Sequence, residues 1–224
     1  MPRVTHSGFP EADLFVETAA ERPYTSLRQA REAAAGCRRC PLYQDATQTV
    51  FGEGPAHAPV MFVGEQPGDQ EDIQGKPFVG PAGRLLDRAL VEAGIDRSRI
   101  YVTNAVKHFK FEPRGKRRLH KKPNAYEIDR CKWWLDNELR LIRPQLAVAL
   151  GATAARALFG RAVTISRARG EVVALPDREG IDAFVTVHPS SLLRAPDDES
   201  RAHEYARFVA DMRIVARHVV AARA

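Results

Sequence analysis

Residues 59–86 read PVMFVGEQPGDQEDIQGKPFVGPAGRLL. The first six residues, Pro59–Gly64, form a short apolar run closed by glycine. That is the pattern of a strand buried on both faces. A loop rich in glycine and proline then runs to Gly83, far longer than most connections in a compact domain. From Arg84 the chain turns helical, with Leu85, Leu86, Ala89, Leu90 and Ala93 on one face and Gly94 as a stop.

The same alternation continues outward. Upstream, Ser26–Gly36 reads as a helix with Ser26 or Thr25 as N-cap and Gly36 as C-cap. The segment CRRCPLYQDATQTVFGEGP that follows reads as a loop. Downstream, Ile100–Asn104 is strand-like and Tyr126–Leu141 is an amphipathic helix carrying Cys131, Trp133 and Trp134. Gln145–Leu150 is a strand, and Gly151–Gly160 a short helix. Gly170–Leu175 and Phe184–Val187 are further strands, and Glu199–Ala222 is a final helix. Strands alternating with helices predict an α/β fold: a three-layer α/β/α sandwich around a mostly parallel, four-stranded central sheet. Residues 1–25 form an irregular N-terminal segment, and 26–224 form one domain. In such sheets ligands bind beyond the strand C-termini. There the sequence reads GEQPGDQED, NAVKH, GATAA and HPSSLLR, so the site belongs at that end.

Composition narrows the function classes. The net charge is +6 and the isoelectric point about 9.5, which suits a polyanionic partner. No apolar run approaches the ~18 residues that cross a bilayer, so no membrane partner is expected. The N-terminus MPRVTHSGFPEADLF lacks the apolar core of a signal peptide, which makes the cytoplasm the expected location. Three cysteines, an odd number, argue against a disulfide framework. Nothing demands more than a monomer.

Three motifs carry chemistry. The loop after Gly64 holds Glu65, Gln66, Asp69, Glu71 and Asp72, which on their own describe a solvated acidic loop. Phe78 and Val79 are apolar within it, and Gly80–Gly83 leads into a helix N-terminus that can take a phosphate. Glycine and proline at this density suit a shaped loop that approaches a ligand closely. No G-K-[ST] is present, so a nucleotide cofactor is not expected. HPSSLLR, His188–Arg194, suits a tight turn whose backbone N–H groups and serine hydroxyls bind phosphate. GKRRLHKK, Gly115–Lys122, places His120 among five cations. It is either a basic loop that touches phosphates, or a device in which like charges keep the imidazole neutral and reactive.

CRRC supplies two thiols, Cys37 and Cys40, and Cys131 a third. His108, in VKH at a strand end, is the fourth candidate ligand. Three cysteines and a histidine suit tetrahedral zinc or an iron–sulfur cluster, and spacing alone favours zinc. Cys131 also reads as a core cysteine on an amphipathic helix.

Together these motifs resemble the iron–sulfur branch of the uracil-DNA glycosylase superfamily. GEQPGDQEDIQGKPFVGPAGRLL looks like that branch's first motif and HPSSLLR like its second. VKH in place of a VKC-like strand end, Gln66 in GEQPG and the GKRRLH stretch resemble the UdgX group. There the stretch commonly reads KRRIH, so Leu119 replaces an isoleucine. The resemblance runs from about Cys37 to Arg194.

The resemblance implies uracil-containing DNA as partner. It also implies a 4Fe–4S cluster on Cys37, Cys40, His108 and Cys131, in place of zinc. Phe78 would stack on a flipped uracil, Asn104 would read its O4 and N3 edge, and His188 would donate to O2. Gln66 and Asp69 would shape the pocket beside C1′. Ser190, Ser191, Arg194, Lys116, Arg117 and Arg118 would hold DNA phosphates. His120 would capture C1′ of the sugar and stay attached, with Glu65 fixing its tautomer. A turnover glycosylase and a non-catalytic DNA-binding protein are the alternatives.

Overall fold

The computed structural model describes residues 23–221. Most of the expected irregular segment and the end of the last helix lie outside that range.

Five strands form the main sheet: β1 Val60–Gly64, β2 Ile100–Asn104, β5 Leu146–Leu150, β6 Val172–Ala174 and β7 Asp182–Thr186. Their order is β2-β1-β5-β7-β6, with only β6 antiparallel to its neighbour. The expected sheet had four strands. The fifth is the stretch read as a strand at 170–175, and it closes the edge beside β7. All three of its residues are exposed, and Gly170 turns into it with φ 89°.

The side-chain alternation of a strand divides the core into two halves. Met61, Val63, Tyr101, Ala147, Ala149, Ala183 and Val185 face one way. They pack against α1 Leu27–Ala35, α4 Ala125–Ile142 and α5 Ala152–Phe159. Val60, Phe62, Ile100, Val102, Val148 and Phe184 face the other way. They meet α3 Pro81–Glu92 and α8 Asp198–Ala221. The central strands β1 and β5 are apolar throughout because both faces are covered. Two short helices, α6 Ile165–Ala168 and α7 Pro189–Leu192, precede β6 and follow β7.

Two local elements depart from the sequence reading. The loop after β1 contains a helix, α2 Asp69–Gln74. Glu71 reaches back to the Gly68 N–H at 3.1 Å, and Gly75 ends the helix with φ 71°. This is the Glu half of a capping box, since glycine has no side chain to return the bond, followed by a left-handed glycine. GKRRLHKK is likewise no loop. Its centre is β4 Arg117–His120, paired antiparallel with β3 Phe111–Arg114 across a turn in which Gly115 has φ 60°. His120 stands opposite Phe111 at the root of this hairpin.

Candidate active site

The C-terminal ends of β1, β2, β5 and β7 open on one cleft of about 960 Å³. Glu65, Gln66, Asp69, Phe78, Asn104, His120, His188, Ser190 and Arg194 line it. Residues from four strand ends and the hairpin thus converge on one cleft.

Glycine makes the floor possible. A Cβ on Gly64 would stand 2.3 Å from Asn104 Oδ1 and 2.7 Å from Phe78 Cζ. Only a bare backbone lets the amide and the ring close in together. Phe78 adopts φ 59°, an uncommon conformation for a bulky residue, and its carbonyl packs where a side chain on Gly83 would be. Glu71 holds the loop ends, its carboxylate accepting from the N–H groups of Gly80 and Gly68.

Two imidazoles flank the cleft. His188 Nδ1 accepts from the Ser190 N–H at 3.1 Å, with the Ser190 hydroxyl at 2.8 Å. That leaves Nε2 as the protonated nitrogen. Burial pushes its pKa down to about 4, although Glu65 pulls the other way. The neutral ring lies stacked beside Phe78, centroids 6.3 Å apart. His120 Nε2 sits 3.2 Å from Glu65 Oε1. The other Glu65 oxygen accepts from the Thr153 hydroxyl at 2.5 Å. Burial opposes the Glu65 charge, but bonds from His120 and Thr153 outweigh it and hold the carboxyl below the usual range.

Gln66 and Arg118 do something the sequence did not show. The Gln66 amide donates to the carbonyls of Lys110 and Lys121 and accepts from the Lys110 N–H. It grips both strands of the hairpin at their root. Arg118 is spent on the protein rather than turned outward. Its guanidinium donates to Asp69 at 2.7 Å and to the fully buried Asp72 at 2.6 Å. It also lies over the rings of Phe109 and Phe111. Asp69 therefore lines the cleft while anchoring the hairpin. Lys116 and Arg117 are exposed at the far end of the hairpin, Ser191 is exposed within α7, and Arg194 lines the rim. Thr153 was missed as a partner of Glu65, although it lies in the polar strand end GATAA.

The cysteines lie on the α1/α4 side. All three are buried free thiols. Burial pushes Cys131 up to about 12 against the pull of Lys107, and Cys40 and Cys37 add to the rise. Cys37 accepts from the Trp134 indole N–H at 3.0 Å. His108 Nε2 is 2.9 Å from the Thr49 hydroxyl, and its buried Nδ1 has no hydrogen-bond partner. Three buried thiols and an unpartnered imidazole nitrogen are donors of the right chemistry for a metal group. A closed set is not formed, because no group of three or more His, Cys, Asp and Glu side chains among the described residues is arranged to hold a metal ion. No helix among the described residues is long and apolar enough to cross a membrane.

This combination of fold and cleft has a family. The chain belongs to the uracil DNA glycosylase superfamily, whose family model matches residues 51–213. Among curated relatives, a type-4 uracil-DNA glycosylase of Thermotoga maritima is 39% identical over 171 residues, covering 76% of this chain and 84% of the relative. The type-4 enzyme of Archaeoglobus fulgidus is 37% identical over 166 residues, covering 71% and 79%. A type-5 uracil-DNA glycosylase of Pyrobaculum aerophilum is 32% identical over 156 residues, covering 62% and 64%.

Proposed function

We infer that this protein excises uracil from DNA and that His120 then bonds to C1′ of the sugar. The observation that carries the reading is the His120–Glu65 pair, 3.2 Å apart in the cleft that also holds Phe78, Asn104 and His188.

The base must leave the stack and enter the cleft, at a cost of a few kcal/mol that single-stranded DNA largely avoids. Phe78 stacks on the uracil ring. The Asn104 amide offers one donor and one acceptor to its edge, which matches uracil and mismatches cytosine. As the N1–C1′ bond breaks, its electron pair moves onto the base. The neutral His188 donates Nε2–H to the O2 that gains charge. The sugar becomes electrophilic at C1′. The His120 nitrogen that does not donate to Glu65 supplies a lone pair and forms the new bond. Glu65 stays ionised and stabilises the resulting imidazolium. Lys116, Arg117, Ser190, Ser191 and Arg194 hold the DNA backbone.

Cys37, Cys40, Cys131 and His108 would hold a 4Fe–4S cluster, whose contribution is a structural staple between the α1 loop and α4. Iron and acid-labile sulfide in equal amounts, lost in Cys131→Ala, are the expected analysis. Zinc alone would overturn the cluster.

The likeness to type-4 enzymes favours a second reading, turnover with release of an abasic site. A denaturing gel with a uracil oligonucleotide and a thymine control separates the two. Covalent capture gives a heat-resistant band at the summed mass, absent in His120→Ala. Turnover gives no band and an alkali-labile oligonucleotide. With neither signal, only a binding role survives.

A further inference from the structure

Lys107 and Glu138 have no part in the reaction above, yet their side chains are 0% exposed and 2.5 Å apart. A buried ion pair is weak evidence for stability, since matched apolar residues often serve as well. The bonds this pair makes point elsewhere.

Lys107 lies three residues beyond Asn104, where the chain turns away from β2. In that turn the N–H groups of Ala105 and Val106 donate to the carbonyls of Gly64 and Glu65. The carbonyl of Asn104 is buried and needs a donor of its own. Lys107 Nζ supplies it at 2.8 Å, and also donates to the Thr103 hydroxyl at 2.6 Å. Glu138 holds the ammonium in place. Its carboxylate also accepts from the Gly52 N–H at 3.0 Å and the Tyr101 hydroxyl at 2.9 Å. At its other end Lys107 is fixed by its own N–H, which donates to Cys131 Sγ at 3.1 Å. One residue therefore fixes the tilt of the peptide after Asn104, and with it the direction of the Asn104 amide. The same turn is bonded to the backbone of Glu65, which faces His120.

We propose that Lys107, clamped by Glu138, is a positioning residue that aims Asn104 at the base and so sets both excision rate and discrimination of uracil from cytosine. This rests on the reading that Asn104 contacts the base. No contact of Lys107 with substrate is involved.

The test removes both charges together in Lys107→Met/Glu138→Leu, which avoids stranding either one. Thermal unfolding, half-saturation on a single-stranded uracil oligonucleotide and the single-turnover excision rate are read side by side. The melting temperature falls, because the Gly52 N–H and the Tyr101 hydroxyl lose their acceptor, whereas a misdirected Asn104 leaves half-saturation near wild type. It lowers the excision rate about 10- to 100-fold, the scale of a misplacement near 1 Å. It also narrows the preference for uracil over cytosine. A folded double variant with the wild-type rate overturns the proposal. If the double variant does not fold, Thr103→Val decides. That variant removes only the hydroxyl between Nζ and the carboxylate, and a several-fold lower rate is expected, an unchanged one being fatal. A wild type inert on uracil DNA overturns the proposed function itself, which is a different result from an active wild type matched by its variants.

Discussion

At His188 one ring nitrogen serves the fold and the other is left for the cleft. Its bonds with Ser190 occupy Nδ1, and burial holds the imidazole neutral, with a pKa of about 4 against an ordinary 6.5. An unfolded chain takes up a proton there at a pH where the folded chain does not. His188 therefore favours the folded state above pH 6.5, and this contribution fades as the pH falls towards 4. Its size is on the order of 3 kcal/mol. Urea unfolding at pH 7 and pH 4.5 should show wild type losing more stability than His188→Gln. Equal losses would place the titration elsewhere. The sequence marked His188, Phe78 and Asn104 because they stand in motifs at strand ends. It gave no sign that Phe78 takes a left-handed backbone or that Gly64 clears the space between ring and amide. Those facts depend on neighbours remote in the chain.

The hairpin of β3 and β4 is the element that brings His120 to the cleft. Two side chains bolt it down, Gln66 at its root and Arg118 along its face. Arg118→Ala leaves Asp72 buried, with the Thr47 N–H as the remaining hydrogen-bond donor to its carboxylate among the described residues. Removing one partner of such a pair costs on the order of 3 kcal/mol. The local effect is freer motion of residues 111–120, seen as faster hydrogen exchange, and, in the proposed reaction, slower capture of C1′. Arg118→Lys should restore little of either, because an ammonium cannot span Asp69 and Asp72 as the guanidinium fork does. The hairpin was not legible in the sequence because cations mask the alternation of a strand. Both its partners, Asp69 and Asp72, lie more than forty residues away. Helix α2 was hidden for a different reason. Glycine and proline dominate its surroundings, and only the Gly68–Glu71 spacing and Gly75 betray its ends.

Across the whole molecule the charge of +6 is unevenly spent. Arg118, Lys107 and Lys110 are consumed by carboxylates, whereas Lys116 and Arg117 stand exposed at the hairpin end. For single-stranded DNA each phosphate contact contributes roughly 0.7 to the slope of log affinity against log salt. Lys116→Glu and Arg117→Glu should each lower that slope by about this amount, measured by fluorescence anisotropy between low and moderate salt. An unmoved slope would put the backbone track on another face. The layered architecture was readable from the outset, because strands covered on both faces must be apolar throughout and helices between them must be amphipathic. The edge strand β6, legible at 170–175 and exposed along its length, joins the sheet beside β7 and brings it to five strands. The thiol site is split by the same architecture. Cys37 and Cys40 follow α1 and precede the region matched by the family, whereas His108 and Cys131 lie within it. Two of the three thiols thus sit on a segment outside the family match, although Ala30 and Ala34 of α1 are sealed into the core. Trimming the chain to the matched region would therefore uncover one face of the sheet rather than remove a dispensable tail.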